Sequence, residues 1–184
     1  MKKLGIMLVL VLAGSLVFAQ TKEERKAAKQ AKKEVRMQED KANTAKLKSL
    51  VETKKFVLEA NTLYDKTNTA YVISSNLNFV GFDGEFSTIQ FSFNGLVGWN
   101  GVGGVTLDGS ISKMEIKENK NGVGFTVNAV VQNKGGGLVT MLFRVSPNGL
   151  TKVSMNGSFG ERLSLQGYLV PLDKSSVYKA TPRF

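Results

Sequence analysis

The second half of the chain alternates apolar and polar residues with a period of two, the pattern of strands that bury one face. Apolar side chains occupy every second position of three segments, 123–131, 139–145 and 163–169. Each segment is predicted to be a strand of an antiparallel sheet. Six earlier strands are predicted at 56–64, 70–74, 77–82, 85–93, 104–107 and 110–117.

Turn signals separate these segments at regular intervals. Asn121-Gly122, Asn148-Gly149 and Asn156-Gly157 suit tight hairpins, because Gly and Asn tolerate positive φ angles. Asp83 and Asp108 also precede glycines and are interpreted as turn residues. About ten short strands predict a mainly β domain, an antiparallel meander closed into a β-barrel or folded into a β-sandwich. Both architectures give the same alternation, so the choice stays open.

The first nineteen residues have the layout of a cleavable signal peptide. Lys2 and Lys3 precede an apolar run, and Ala19 ends a segment with small residues at the positions that a signal peptidase reads. The run is shorter than the ~20 residues that a membrane span needs. Cleavage is expected near Ala19-Gln20, giving a periplasmic or secreted protein with no transmembrane span in the mature chain.

A basic arm follows the leader. Residues 21–55 contain 12 Lys and Arg against 6 Asp and Glu, a net charge of +6 out of +10 for the whole chain. On a helix, seven cations fall within about one third of the circumference. These candidates for binding an anionic surface are Lys22, Arg25, Lys26, Lys29, Lys32, Lys33 and Arg36. The stripe is either a solvated face or a contact with an anionic envelope component.

The apolar pattern of the arm changes phase farther along. Leu47, Leu50 and Val51 form a separate patch with helical spacing, so a helix break is predicted at Asn43-Thr44 and the patch is expected to dock on the β-domain. Nucleic acid is not expected as a partner, because the leader directs the protein out of the cytoplasm and the arm has no aromatic residues. The predicted parts are a leader at 1–19, a basic helical arm at 20–45 and a β-domain at 46–184.

The absence of Cys and His narrows the possible chemistry. No thiolate nucleophile, disulfide or imidazole-based triad is available, and neither a metal site nor a cofactor is expected. Scarce carboxylates such as Glu115 and Glu118 form no pair that their spacing singles out. A hydrolase that uses carboxylates alone is therefore the weakest of three functional hypotheses, and the protein is predicted not to be an enzyme.

A glycine-rich loop contains the only tryptophan of the chain. Its candidate ligand-binding residues are Trp99, Asn100, Gly101 and Gly103. Thr106 stands where a dinucleotide fingerprint would need its third glycine, so a nucleotide loop is not indicated. The loop is either a connection whose glycines adopt unusual backbone angles or a lip around a ligand cavity.

Residues 56–172 resemble a family of secreted Bacteroidota proteins known as domain of unknown function 4251. The matching segments are Asn61 to Tyr64, Asn78-Phe79-Val80, Phe91 to Gly95, Gly101 to Gly104, Leu107 to Ile111, Pro147-Asn148-Gly149 and Leu165 to Leu169. The resemblance supports the all-β prediction and implies no catalytic residues.

Two binding roles are predicted ahead of the hydrolase. The first is an exported non-enzymatic β-domain that binds a small apolar or amphipathic ligand, or a protein partner, in the cell envelope. The second is a structural adaptor whose basic helix tethers it to anionic surfaces.

Overall fold

The computed structural model describes residues 22–65, 67–92, 104–157 and 163–180. Within them one long helix precedes nine strands, and a short 3-10 helix, Leu172–Lys174, follows the last strand. The elements are α1 (Lys22–Glu52), β1 (Lys55–Tyr64), β2 (Ala70–Val72), β3 (Phe79–Asp83), β4 (Phe86–Ser92), β5 (Gly104–Glu118), β6 (Phe125–Asn133), β7 (Leu138–Val145), β8 (Leu150–Gly157) and β9 (Leu163–Pro171).

Eight of the strands form a closed antiparallel barrel. Each strand from β3 to β9 pairs with the next along the chain, and β1 pairs with both β3 and β9. The short strand β2 adds to the end of β1, through Thr62 to Tyr64. Because β1 and β9 pair along almost their whole length, the sheet has no open side. The all-β prediction is confirmed, and the barrel is the correct alternative to the sandwich.

The predicted alternation matches the inner and outer faces of the barrel. Every second residue of β6, β7 and β9 is buried in one continuous apolar core, and the residues between point outward. Three of the predicted turns also form, and their glycines, Gly84, Gly122 and Gly149, have φ angles of 62°, 70° and 82°. The predicted turn at Asn156-Gly157 is wrong, because both residues belong to β8 and pair with Thr140 and Val139 of β7. The core residues of the three strands are Phe125, Val127, Ala129, Val131, Val139, Met141, Phe143, Val145, Leu165 and Leu169.

The prediction of two strands at 104–107 and 110–117 is wrong. Both belong to β5, which runs for 15 residues, with its register shifted between Ile111 and Lys113. Asp108-Gly109 is therefore not a turn. Gly109 instead allows two backbones to approach, because an added Cβ would lie 2.4 Å from the carbonyl oxygen of Gln132. Asp108 is held on the outer face by side chains distant in sequence, which a local turn signal does not reveal.

The predicted helix break at Asn43-Thr44 is also wrong, because α1 is continuous from Lys22 to Glu52. The Thr44 hydroxyl donates to the carbonyl oxygen of Asp40 at 2.7 Å and accepts the N–H of Gly124 at 2.9 Å. The chain divides into two compact units between Glu39 and Asp40, so Thr44 lies in the unit that contains the barrel. The apolar positions thus move to another side of the same helix where its last turns begin to pack on the barrel.

The last turns of α1 close one end of the barrel, which we call the base. Val51 is completely buried in the core, and Leu47 and Leu50 pack against it, as the sequence predicts. Lys48 adds an ion pair with Glu118, at 2.6 Å. Burial of three apolar side chains against the core contributes more than this exposed ion pair.

Candidate ligand-binding site

The opposite end of the barrel, which we call the mouth, holds the connection between β4 and β5. The four predicted loop residues, Trp99, Asn100, Gly101 and Gly103, lie outside the described residues. The last residue of β4, Ser92, pairs with the first residue of β5, Gly104. The glycine-rich segment therefore leaves and re-enters the described barrel at the mouth.

Apolar side chains that face the interior are partly exposed near the mouth. Val105 lies opposite Phe91 and Leu107 opposite Ile89, and residues directly opposite in an antiparallel pair share a face. Val105 is nevertheless 38% exposed, and Leu107 is half-buried. Ile73, which follows β2, and Leu163 of β9 lie at this end and are also only partly buried. The mouth thus presents an accessible apolar lining.

The interior nearer the base is filled by three aromatic rings. Phe56 stacks on Phe82 with ring centroids 4.7 Å apart, and Phe143 meets these two rings edge-on at 6.5 and 5.8 Å. All three rings are buried, and Val51 closes the interior behind them. Any ligand in the barrel therefore has to enter through the mouth and stop at this aromatic floor.

One hydroxyl group lies among the inward-facing residues that neighbour the aromatic floor. Phe82 of β3 is directly opposite Ser87 of β4, which in turn is opposite Gly109 of β5. Ser87 is buried, and its Oγ has no hydrogen-bond partner among the described residues. The described part of the chain buries no charged side chain, so the lining is apolar apart from a few neutral polar groups. Such a lining suits an uncharged ligand.

The segment after β9 packs against the outside of the barrel and was not foreseen from the sequence. We call residues 172–180 the C-terminal strap. The fully buried Gln90 holds it: the amide nitrogen donates to the carbonyl oxygens of Leu77 and Tyr178, at 3.0 and 2.9 Å. The amide oxygen accepts the N–H of Ala180 at 2.9 Å and the hydroxyl of Thr106 at 3.0 Å. All four hydrogen-bonding positions of the side chain are thus used.

A groove of about 280 Å³ lies between this strap and the barrel. Its lining is mostly apolar and includes Val57, Phe79, Leu172 and Val177. Small-molecule pockets typically enclose about 300–1,000 Å³. The groove falls just below that range.

Asp108 fastens the strap to β5. Its carboxylate accepts the Thr88 hydroxyl at 2.7 Å and pairs with Lys179 at 2.8 Å. Partial burial raises the pKa of Asp108, but the hydrogen bonds from Lys179 and Thr88 and the charge of Lys179 outweigh burial and hold the pKa below its ordinary value. The ionised form is therefore the one that the folded protein stabilises.

The variant Asp108→Asn is expected to be less stable than the wild type by about 1 kcal/mol at pH 7, because it loses a charge-assisted hydrogen bond. A lowered folded-state pKa adds stability above the ordinary value of 3.8, and this stability is lost as the pH falls through the folded-state value. Urea unfolding of both proteins should show the difference shrinking as the pH falls below 3.8. The exposed Asp83→Asn serves as the control, and a pH-independent difference would contradict the assignment.

The basic stripe is helical along its whole length, as predicted. All residues from Glu23 to Glu39 are exposed, and the side chain of Lys22 lies outside the described part. The six other cations, Arg25, Lys26, Lys29, Lys32, Lys33 and Arg36, form no ion pair within the described chain. In the second unit, Lys48, Lys54, Lys113 and Lys179 form ion pairs, whereas exposed lysines such as Lys117, Lys120 and Lys134 form none with the described residues.

The described residues contain neither a candidate membrane-spanning helix nor a candidate metal site. No helix there combines the length and apolarity required to cross a bilayer. No group of three or more Asp or Glu side chains in the same residues is arranged to hold a metal ion. Neither result adds a further candidate site.

These features define a small antiparallel β-barrel protein with the last turns of a helix at its base and an apolar mouth. The family model for a domain of unknown function, DUF4251, matches residues 38–169, and the chain belongs to that family. The resemblance seen in the sequence is thereby confirmed. A solved DUF4251 family protein from Bacteroides eggerthii is 27% identical, with a TM-score of 0.62, and the match covers 76% of this chain and 94% of that one. No curated protein matches.

Proposed function

We propose that the protein is an exported, non-enzymatic binding protein whose barrel takes up a small apolar or amphipathic ligand through the mouth. The difference between the two ends of the barrel carries this proposal. Val51 is buried at the base, whereas the inward-facing Val105 is exposed to 38% of its surface at the mouth. Eight-stranded barrels enclose a space that suits side chains or one small ligand.

The leader supports a role outside the cytoplasm. A positively charged start, an apolar run and small residues before Gln20 favour export, so the proposed binding takes place in the periplasm or outside the cell. The glycine-rich loop around Trp99 joins β4 to β5 at the mouth, where loops on a rigid scaffold commonly bind ligands.

The variant Leu107→Glu is expected to weaken binding of the uncharged fluorescent probe N-phenyl-1-naphthylamine by at least tenfold. A carboxylate on the inner wall has to stay charged in an apolar site or take up a proton. The free-energy cost of either exceeds the ~1.4 kcal/mol that corresponds to a tenfold change in affinity. The mature wild-type chain and the variant would be titrated with the probe while its emission is recorded.

Leu142→Glu is the matched control. Leu142 is also a half-buried strand leucine, but it alternates with Met141 and Phe143 of the core and therefore points outward. It should bind the probe as the wild type does. Equal affinity of the Leu107→Glu protein, or no binding by the wild type, would refute the proposal.

We infer a second candidate function, that of an envelope adaptor, from the unpaired cations of α1. Six exposed cations with no ion-pair partner in the described chain cost helix stability through mutual repulsion, and an anionic surface would relieve that cost. Under this hypothesis, the arm tethers the barrel electrostatically to anionic envelope material.

Replacing Lys26, Lys29 and Lys33 together by Gln is expected to weaken binding to phosphatidylglycerol vesicles on the order of 100-fold at low salt, since each lysine near an anionic surface contributes about 1 kcal/mol. Co-sedimentation at low and high salt would measure it, because screening removes the attraction. The control replaces three exposed barrel lysines, Lys117, Lys120 and Lys134, by Gln. If both triple variants lose binding equally, net charge is responsible and the tether hypothesis is wrong.

A further inference from the structure

Inside the barrel, the hydroxyl group of Ser87 has no hydrogen-bond partner among the described residues. Ser87 is only 3% exposed, and its Oγ forms no hydrogen bond with the described residues. Leaving a buried hydroxyl without a partner costs about 1–3 kcal/mol. Alanine at this position would avoid that cost, so the serine calls for an explanation other than stability.

Other buried polar side chains do have partners. Gln90 forms four hydrogen bonds, Asn78 bonds the backbone of Ser74 and Ser92, and the Thr151 hydroxyl donates to the carbonyl oxygen of Gly149. Ser87 is therefore an exception in a protein that satisfies its buried polar groups. Its inward position distinguishes it further from Gln90, which faces the strap.

Ser87 lies where a row of side chains that leads inward from the mouth reaches the aromatic floor. Along the inner face of β5, Val105 is 38% exposed, Leu107 is half-buried, and Gly109 is buried directly opposite Ser87. Gly109 is four positions after Val105 in the strand, a distance of about 13 Å at ~3.3 Å per residue. Beyond Ser87, the row continues to Phe82 and Phe56 of the aromatic floor.

The surroundings of Ser87 determine which polar group it can bind. The described chain buries no lysine, arginine or carboxylate, so a charged head group would remain unpaired there. The free-energy cost of burying an unpaired charge is far larger than the stabilisation from one hydrogen bond. The desolvation cost of a neutral hydroxyl or carbonyl oxygen is small by comparison. Either group can form a hydrogen bond with the serine hydroxyl, which is both a donor and an acceptor.

We propose that Ser87 Oγ binds the polar end of an uncharged amphiphile, whose apolar chain lies along the inner face of β5 toward the mouth. This inference rests on the proposed ligand-binding function and specifies its ligand. The ligand has a single neutral hydrogen-bonding group, such as an alcohol, at the end of a chain about 13 Å long. Ser87 selects this ligand over a plain hydrocarbon or a fatty carboxylate.

The test compares octan-1-ol, its isostere nonane and the octanoate ion as competitors of N-phenyl-1-naphthylamine at pH 8. In the wild type, octan-1-ol should compete best and octanoate worst. In the variant Ser87→Ala, the preference for octan-1-ol over nonane should fall about fivefold, the value of one neutral hydrogen bond. Ser110→Ala, at the exposed residue that follows Gly109, should retain the wild-type preference.

A second measurement examines the unliganded protein. Because Ser87 Oγ has no partner among the described residues, Ser87→Ala should unfold at the same urea concentration as the wild type or a higher one. A lower midpoint would show that the hydroxyl is bonded within the protein, and would overturn the inference. An unchanged preference for octan-1-ol in a variant that still binds the probe would also overturn it. Failure of the wild type to bind the probe refutes the proposed function itself, so the two failures are distinguishable.

Discussion

Replacing Phe56 by alanine is expected to lower the free energy of unfolding by about 3–5 kcal/mol. Phe56 is buried, stacks on Phe82 and meets Phe143 edge-on, so its removal loses apolar burial, two ring contacts and the packing of the floor. Domains commonly have ~5–15 kcal/mol of stability, so the loss is a large part of the total. Urea unfolding of the mature chain, followed by circular dichroism, measures the change.

Phe86→Ala provides the matched control for this prediction. Phe86 is also a strand phenylalanine, but it lies on the outer face and is 63% exposed. The same truncation there should cost less than about 1 kcal/mol. Equal losses in the two variants would mean that the aromatic rings do not form the floor of the interior.

The second large effect is expected at the base. Val51→Asp places a carboxyl group in the core, where no cation is buried among the described residues, and should lower stability by several kcal/mol. Val35→Asp is the control, because it makes the same change in the same helix at a side chain that is 56% exposed. Thermal unfolding of both variants would show whether the end of α1 is part of the barrel core.

The pH dependence of the Val51→Asp variant gives an additional check. Burial raises the pKa of the introduced carboxyl group above its ordinary value in the folded state, so the unfolded state ionises first. The loss of stability should therefore grow as the pH rises from about 4 to 7. A loss that is the same at every pH would indicate a steric defect at the base and no buried charge.

The alternation of apolar and polar residues was sufficient to predict the three late strands and their inner faces. It succeeded because side-chain direction in a strand has a period of two, which is a local property of the chain. The same information was misleading at Asp108-Gly109. There a pair typical of turns lies within β5, because Gly109 accommodates the backbone of β6 and Asp108 bonds to Thr88 and Lys179.

The prediction for the candidate site was less complete. The sequence pointed to the glycine-rich loop through Trp99, which stays a prediction, and to the cationic stripe of α1, whose helical form is confirmed. It gave no reason to select Ser87, Val105 or Leu107. A serine among the polar and apolar residues of β4 looks unremarkable until the strand's inner face is known and no partner is found among the described residues.

The sequence by itself determined the fold class, the basic helix, the docking of its last apolar residues and the family, because each depends on periodicity, composition or short local patterns. Only the tertiary structure decided that the sheet closes as a barrel, that the helix runs unbroken into its base, and that the strap is held by Gln90. These features depend on contacts between residues far apart in the chain: Val57 pairs with Val170, and Gln90 bonds Ala180. Local pattern carries no information on which distant partners meet, since many pairings bury the same apolar faces equally well.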